Sequence, residues 1–210
     1  MSRSQATIKA GYDPWERIKQ VDEFFQGTHP VHVTMRRLAE ELEKAHIPYA
    51  IMGAMAVNLH GAERTTKDVD ILLTSEGLDL FRKDFVGRTF DQEIGRSRRF
   101  IDRANGIKVD ILVTGRYPGR GKPGPVAFPD PTEASEEIKQ VRVLTLPQLI
   151  QFKLLAQRYY DFGDVVFLIR VHNLDESYLE KLHPTVHQDF IECLEEKRRE
   201  DEYQAREEQE

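Results

Sequence analysis

The stretch GAERTTKDVDILLT, residues 61–74, sets two aspartates, Asp68 and Asp70, two positions apart at the head of an apolar run, Ile71-Leu72-Leu73. Carboxylates are costly to bury beside such a run. In a strand, residues two apart share a face, so Asp68 and Asp70 project together while Val69, Ile71 and Leu73 face the other way. A second segment repeats the signature: Val109-Asp110-Ile111-Leu112-Val113. If it pairs beside the first, Asp110 joins the other two, because opposed positions on neighbouring strands have Cβ atoms about 4.5–5.5 Å apart. Three carboxylates gathered so closely repel, and divalent cations relieve that repulsion. Hard oxygen donors suit Mg²⁺, which also binds substrate phosphates. Two such ions roughly 3.5–4 Å apart can activate an attacking oxygen and stabilise a leaving one. An Asp-x-Asp pair alone also fits a plainer role, with Asp68 capping a turn and Asp70 at a wet strand end. Asp110 lies inside an apolar strand, where solvation is a poorer excuse.

The segments around this stretch predict an α/β (α+β) chain, a small mixed sheet with helices before, inside and after it. Asp13, Pro14 and Glu16 signal the start of a first helix, and residues 31–45 carry a second apolar stripe. Residues 47–52 read as a buried strand ended by Gly53, 54–60 as a short helix and 75–85 as another. Asn105-Gly106 marks a hairpin between residues 100–101 and 107–113. The Gly- and Pro-rich residues 115–131 form a loop, and 141–144 a short strand. Residues 147–159, 162–172, 175–182 and the segment after Pro184 all read as helices. The expected organisation is N-terminal helices (1–46), a core (47–145), a C-terminal helical part (146–195) and a charged tail (196–210) that frays.

Composition narrows the classes. The 210 residues are 40 % hydrophobic and 31 % charged, ordinary for a globular chain. No run of 18 apolar residues predicts a membrane span, and the N-terminus has no signal-like apolar core. The single cysteine, Cys193, excludes an internal disulfide framework and fits a cytoplasmic setting. Of the net charge of −6, the residues from Glu195 onward carry −4, so the body is nearly neutral.

IMGAMAVNLHGAERTTKDVDILL, residues 51–73, resembles the signature of the nucleotidyltransferase superfamily. In that pattern a strand ends in Gly-Gly or Gly-Ser, a short helix follows, and Arg-x-Thr-x-Asp-x-Asp enters the next strand. VDILV (109–113) resembles its third-carboxylate strand. LPQLIQFKLLAQRYYDFGDVVFLI (146–169) and YPGRGKPGPVAFPDP (117–131) are similar to segments of the AbiEii/AbiGii toxin-like branch. The likeness spans residues 47–171. It implies a polymerase-beta-like fold and Mg²⁺-dependent transfer of a nucleoside monophosphate from a nucleoside triphosphate to an RNA or protein hydroxyl, with two Mg²⁺ ions. By position, Asp68 and Asp70 are then metal ligands, and Asp110 assists or acts as base. Gly53 and Ala54 receive the triphosphate at the start of the short helix. The same resemblance raises the expectation of an antitoxin partner encoded elsewhere. Two positions depart from the pattern: Ala54 stands where many members have Ser or Gly, and Tyr160 where relatives often have Lys. The alternative is a non-catalytic member that binds a nucleotide or a partner protein.

Other residues have two readings each. Arg64 and Lys67 hold phosphates or balance local acid charge, and Thr66 serves the turn. Lys153, in an apolar helix, either snorkels to solvent or reaches nucleotide phosphates as a point charge. Asp161 and Asp164 read as helix-capping acids. GRYPGRGKPG does not match a phosphate-binding loop, because five residues separate Gly115 from Gly121 and Pro123 follows Lys122. Arg116, Arg120 and Lys122 either touch a polynucleotide or a nucleotide tail or belong to a merely solvated loop. The histidines show no zinc-ligand spacing, and Cys193 reads as core.

Overall fold

The computed structural model describes residues 13–118 and 123–207. Arg120 and Lys122 lie outside the described residues. Seven strands form one mixed sheet: β1 (Tyr49–Met52), β2 (Asp68–Leu73), β3 (Phe90–Gln92), β4 (Arg99–Asp102), β5 (Lys108–Val113), β6 (Ser135–Ile138) and β7 (Val141–Leu144). Their order across the sheet is β3-β4-β5-β2-β1-β7-β6. β2 runs parallel to β5 and β1 parallel to β7; the other pairs are antiparallel. The expected mixed sheet with flanking helices is the architecture observed.

Local chemistry accounts for the helices that position the site. α1 (Pro14–Phe25) starts where the Asp13 carboxylate accepts from the Trp15 N–H. α2 (Pro30–Lys44) buries Val31, Met35, Leu38 and Leu42, a helical spacing that gives it one apolar face. α3 (Gly53–Leu59) follows β1 without a loop, and α4 (Ser75–Phe85) begins where the Thr74 hydroxyl accepts from the Gly77 N–H at 2.9 Å. After the short α5 (Pro131–Ala134) come α6 (Leu146–Ala156) and α7 (Tyr159–His172), then α8 (His187–Glu207). α6 and α7 bury Leu149, Ile150, Leu154, Val165, Leu168 and Ile169. α7 packs between α6 and α8, and α6 touches α3. Cys193 on α8 is buried, and burial pushes its thiol up to about 12, as a core cysteine requires.

The far face of the sheet is locked by a buried polar group. Asp102, at the end of β4, is fully buried. It accepts from the Thr34 hydroxyl at 2.6 Å and from the Ala104 N–H at 2.9 Å, and it pairs with Arg37 of α2.

Three expectations about elements change. β3 and β6 are short strands in FDQ and SEEI, which lack the alternation that reveals a strand. Residues 175–182 are wound mainly as a 3-10 helix, Glu176–Lys181, rather than an α-helix. The charged tail is helical past 196: α8 continues to Glu207, and Arg170 of α7 bonds Glu200 at 2.6 Å.

Candidate active site

Register places the carboxylates. Asp70 on β2 lies directly opposite Asp110 on β5, and on its other side opposite Met52 at the end of β1. Asp110 in turn lies opposite Arg99 on β4. Four adjacent strands therefore contribute one row, Met52–Asp70–Asp110–Arg99, across the sheet. Asp68 begins the next row, opposite Lys108. In-register neighbours share a face, so Asp68, Asp70 and Asp110 stand on one side. Val69, Ile71, Val109 and Ile111 face the other side and are buried.

Each carboxylate has its own setting. Asp68 is oriented from its own chain: the Thr66 hydroxyl donates to Asp68 Oδ1 at 2.7 Å. Asp70 is held against the turn between β1 and α3. Gly53 has φ +62, and a Cβ there would stand 2.0 Å from Asp70 Oδ2 and 2.8 Å from its Cγ. Glycine is thus required twice, for the left-handed backbone and for the room the carboxylate takes. Burial pushes the Asp70 carboxyl up to about 7; Asp68 and Asp110 add to the shift, while Lys153 and Arg158 oppose it. Asp110 is gripped by Arg99, with Nε donating to Oδ1 at 2.6 Å and Nη2 to Oδ2 at 2.7 Å.

A second charge cluster lies beside the first. Lys153 on α6 is buried and donates to Asp164 Oδ2 at 2.6 Å and to Asp161 Oδ1 at 3.2 Å. Arg158 donates to Asp161 at 2.6 Å, and Arg64 Nε lies 3.0 Å from Asp164 Oδ1. Three cations thus share two buried carboxylates. The surplus positive charge is felt at Asp70 through Lys153 and Arg158. Asp161 and Asp164 are not simple caps; they hold the basic residues of the helical part. Asn58 of α3 fixes the segment ahead of β2, its side chain accepting from the Arg64 N–H at 3.0 Å and donating to the Arg64 carbonyl at 2.5 Å.

Of the residues expected from the sequence, Asp68, Asp70 and Asp110 share a face and Gly53 abuts Asp70. Ala54 lies in the first turn of α3, and its carbonyl accepts from Asn58. Arg64 and Lys153 are engaged with acids of α7. Sequence reasoning missed Arg99, Asn58 and the orienting bond of Thr66. Only the parity of β4 and β5 around Asn105-Gly106 could have pointed to Arg99.

The donor set suits a hard divalent cation: three carboxylates share one face, and burial, with Asp68 and Asp110 beside it, pushes the Asp70 carboxyl up to about 7, a charge penalty that a cation would relieve. Asp68, Asp70 and Asp110 would hold such an ion. Among the described residues, however, no three acidic, histidine or cysteine side chains are gathered as a ready ligand set. Two surface clefts, beside α8 and beside Tyr49, are not lined by these carboxylates. No described helix is long and apolar enough to cross a membrane.

No family model and no curated protein matches this chain. Several solved structures resemble it in chain path. JHP933 from Helicobacter pylori is 16 % identical over 72 % of this chain and 70 % of its own, with a TM-score of 0.45. An antigenic nucleotidyltransferase-like protein from Paracoccidioides brasiliensis is 17 % identical over 78 % and 91 %, with a TM-score of 0.45. ANT(2'')-Ia, solved in complex with adenylyl-2''-tobramycin, is 13 % identical over 77 % and 87 %, with a TM-score of 0.38. These are likenesses of chain path alone.

Proposed function

We propose that this protein is a nucleotidyltransferase that moves a nucleoside monophosphate from a nucleoside triphosphate to a hydroxyl acceptor. The observation that carries the reading is the in-register pair of Asp70 and Asp110, with Gly53 opening space beside Asp70. In the reaction an acceptor oxygen bonds to the α-phosphorus, the α–β anhydride bond breaks and pyrophosphate leaves. Divalent cations, when bound, supply charge neutralisation and polarise the phosphoryl oxygens. Asp68 and Asp70 would hold them with Asp110 assisting, Thr66 keeps Asp68 in place, and Asp110 would be the base that takes the proton of the acceptor hydroxyl. The Gly53–Ala54 turn receives the phosphates. Lys153, Arg158 and Arg64 set a positive potential on that side, favouring a polyanionic ligand.

The acceptor is an RNA 3′ end or a protein hydroxyl in a cytoplasmic setting, and an antitoxin partner belongs to the same reading. A second reading is favoured by the Arg99–Asp110 pair: a protein that binds the triphosphate without transferring it. One experiment separates the two. The protein is incubated with each labelled nucleoside triphosphate, Mg²⁺ and total RNA or cell protein, and covalent label is followed alongside calorimetric binding. Transfer supports the enzyme, and binding without transfer supports the second reading. Absence of both, with folded protein at millimolar ligand, sinks the proposal.

A further inference from the structure

We propose that α1 is a pairing helix. It docks antiparallel on α1 of a second copy of this chain, across a two-fold axis level with Gln20.

The helix carries an apolar row that nothing covers. Trp15, Ile18, Val21 and Phe25 fall at helical spacing, so they lie within about 120° of the circumference. They are 77, 51, 44 and 53 % exposed. Among the described residues of α1 only Phe24 is buried. Its ring stands 4.6 Å from that of His32 on α2 and 6.1 Å from that of His29, centroid to centroid. The helix is thus fastened at its C-terminal end while its apolar row stays in water. A free helix of 12 residues is marginal in water, and a row of large exposed apolar side chains marks a contact surface.

Charge selects the occupant. Asp22 falls inside the apolar arc, between Trp15 and Ile18. The ion pair of this helix among the described residues is Lys19 with Glu23, at 3.8 Å, and it leaves Asp22 out. Lys19 borders the arc on the same side as Asp22. Antiparallel pairing about a two-fold axis sets each flank against the same flank of the other copy. Centred at Gln20, it brings Lys19 to the partner's Asp22 and Asp22 to the partner's Lys19. The same register lays Trp15 on the partner's Phe25 and Ile18 on the partner's Val21. A parallel pair would bring two Asp22 side chains to one level and align the helix dipoles, both unfavourable. One helix therefore holds both halves of a self-complementary surface.

The contact is separate from the carboxylate row. α1 is anchored on α2, whose Thr34 and Arg37 reach Asp102 on the opposite face of the sheet. Four aromatic and four aliphatic side chains, about half exposed beforehand, bury on the order of 1,000 Å² in all. That is the lower end for a specific interface, so the dimer dissociates in the micromolar range.

Trp15 is the only tryptophan of the chain and reports on the row directly. The full chain is followed by sedimentation velocity and tryptophan emission from about 1 to about 500 µM, a span that brackets such a dimer. The expected result is a monomer–dimer transition and a blue shift of emission that follow one curve. Ile18→Glu, with native circular dichroism, should abolish both. Lys19→Asp and Asp22→Lys should each weaken pairing roughly tenfold, through like charges facing twice across the axis. Mixed in equal amounts, these two variants should pair again, because every acid then faces a lysine. A monomer at every concentration overturns the proposal and leaves the row to a different protein. Emission that is blue-shifted at every concentration overturns it too, since residues 1–12 of the same chain would then cover the row. A dimer that survives Ile18→Glu, or a mixture no better paired than either variant alone, also overturns it.

Discussion

Gly53 and Asp70 fit each other so closely that the glycine's missing side chain is the space the carboxylate occupies: a Cβ at 53 would meet Asp70 Oδ2 at 2.0 Å. The end of β1 and the middle of β2 are therefore one structural unit. The turn that leads into α3 fixes where the central carboxylate points.

Gly53→Ala should fail on two grounds, the positive φ and the displaced carboxylate. Backbone strain of this kind costs on the order of 1–3 kcal/mol, and the shifted Asp70 should also weaken Mg²⁺-dependent triphosphate binding. Denaturant midpoints and calorimetry measure the two losses. An alanine variant with native stability and native affinity would contradict the fit.

Asp70→Asn should stabilise the cation-free protein above neutral pH. An unfolded aspartate loses its proton near 3.8, whereas the folded one keeps it to about 7. Between those values the native state binds more protons than the unfolded state, so stability falls as pH rises from about 4 to about 7 and stays low above. Asparagine removes that dependence. Thermal melts at pH 8 should show a gain of a few degrees, at about 2–4 °C per kcal/mol for a chain of this size. The gain should disappear at pH 4, and the variant should lose triphosphate binding. A variant less stable than wild type at pH 8 would show that burial and the neighbouring carboxylates do not penalise the Asp70 charge.

Lys153→Met should destabilise the fold by about 3–5 kcal/mol. It strips the buried amine from two carboxylates, leaving Asp161 to Arg158 and Asp164 to Arg64, and removing one partner of a buried charge network is the expensive outcome. Adding Asp164→Asn should recover part of the loss in a double-mutant cycle. A mild phenotype with normal melting and weak nucleotide binding would restore the simpler picture of a lysine that reaches phosphates directly.

Asp110→Asn should abolish transfer yet keep the fold. Positioned acid–base help is worth about 10²–10⁴-fold. Near-isosteric asparagine should preserve packing in β5, and triphosphate binding should largely persist. Side-by-side transfer rates and affinities decide it. Transfer at the wild-type rate would leave Asp110 without a catalytic part.

The shared face of Asp68, Asp70 and Asp110 was legible because strand alternation has a period of two and the alternate residues are all apolar. The same rule failed for β3 and β6, whose few residues are mostly exposed. Arg99 stayed hidden for a different reason. Its partner lies eleven positions on, and only the pairing of 99 with 110 across the hairpin shows that they meet. Asp161 and Asp164 sit at a helix start, where acids are usually caps. Their buried contact with Lys153 depends on how α6 and α7 pack, which local sequence does not encode.

β4 carries two ion pairs on opposite faces, Arg99 with Asp110 in front and Asp102 with Arg37 behind. Its four residues therefore leave no tolerance for a change of length. Deleting one would turn the strand over, drive a guanidinium toward the phenylalanines beneath and leave Thr34 and Arg37 facing no acid. Insertions should be absorbed in the β3–β4 turn, around exposed Gly95 and Arg96, while β4 itself keeps its count as a toothed part must to stay in mesh.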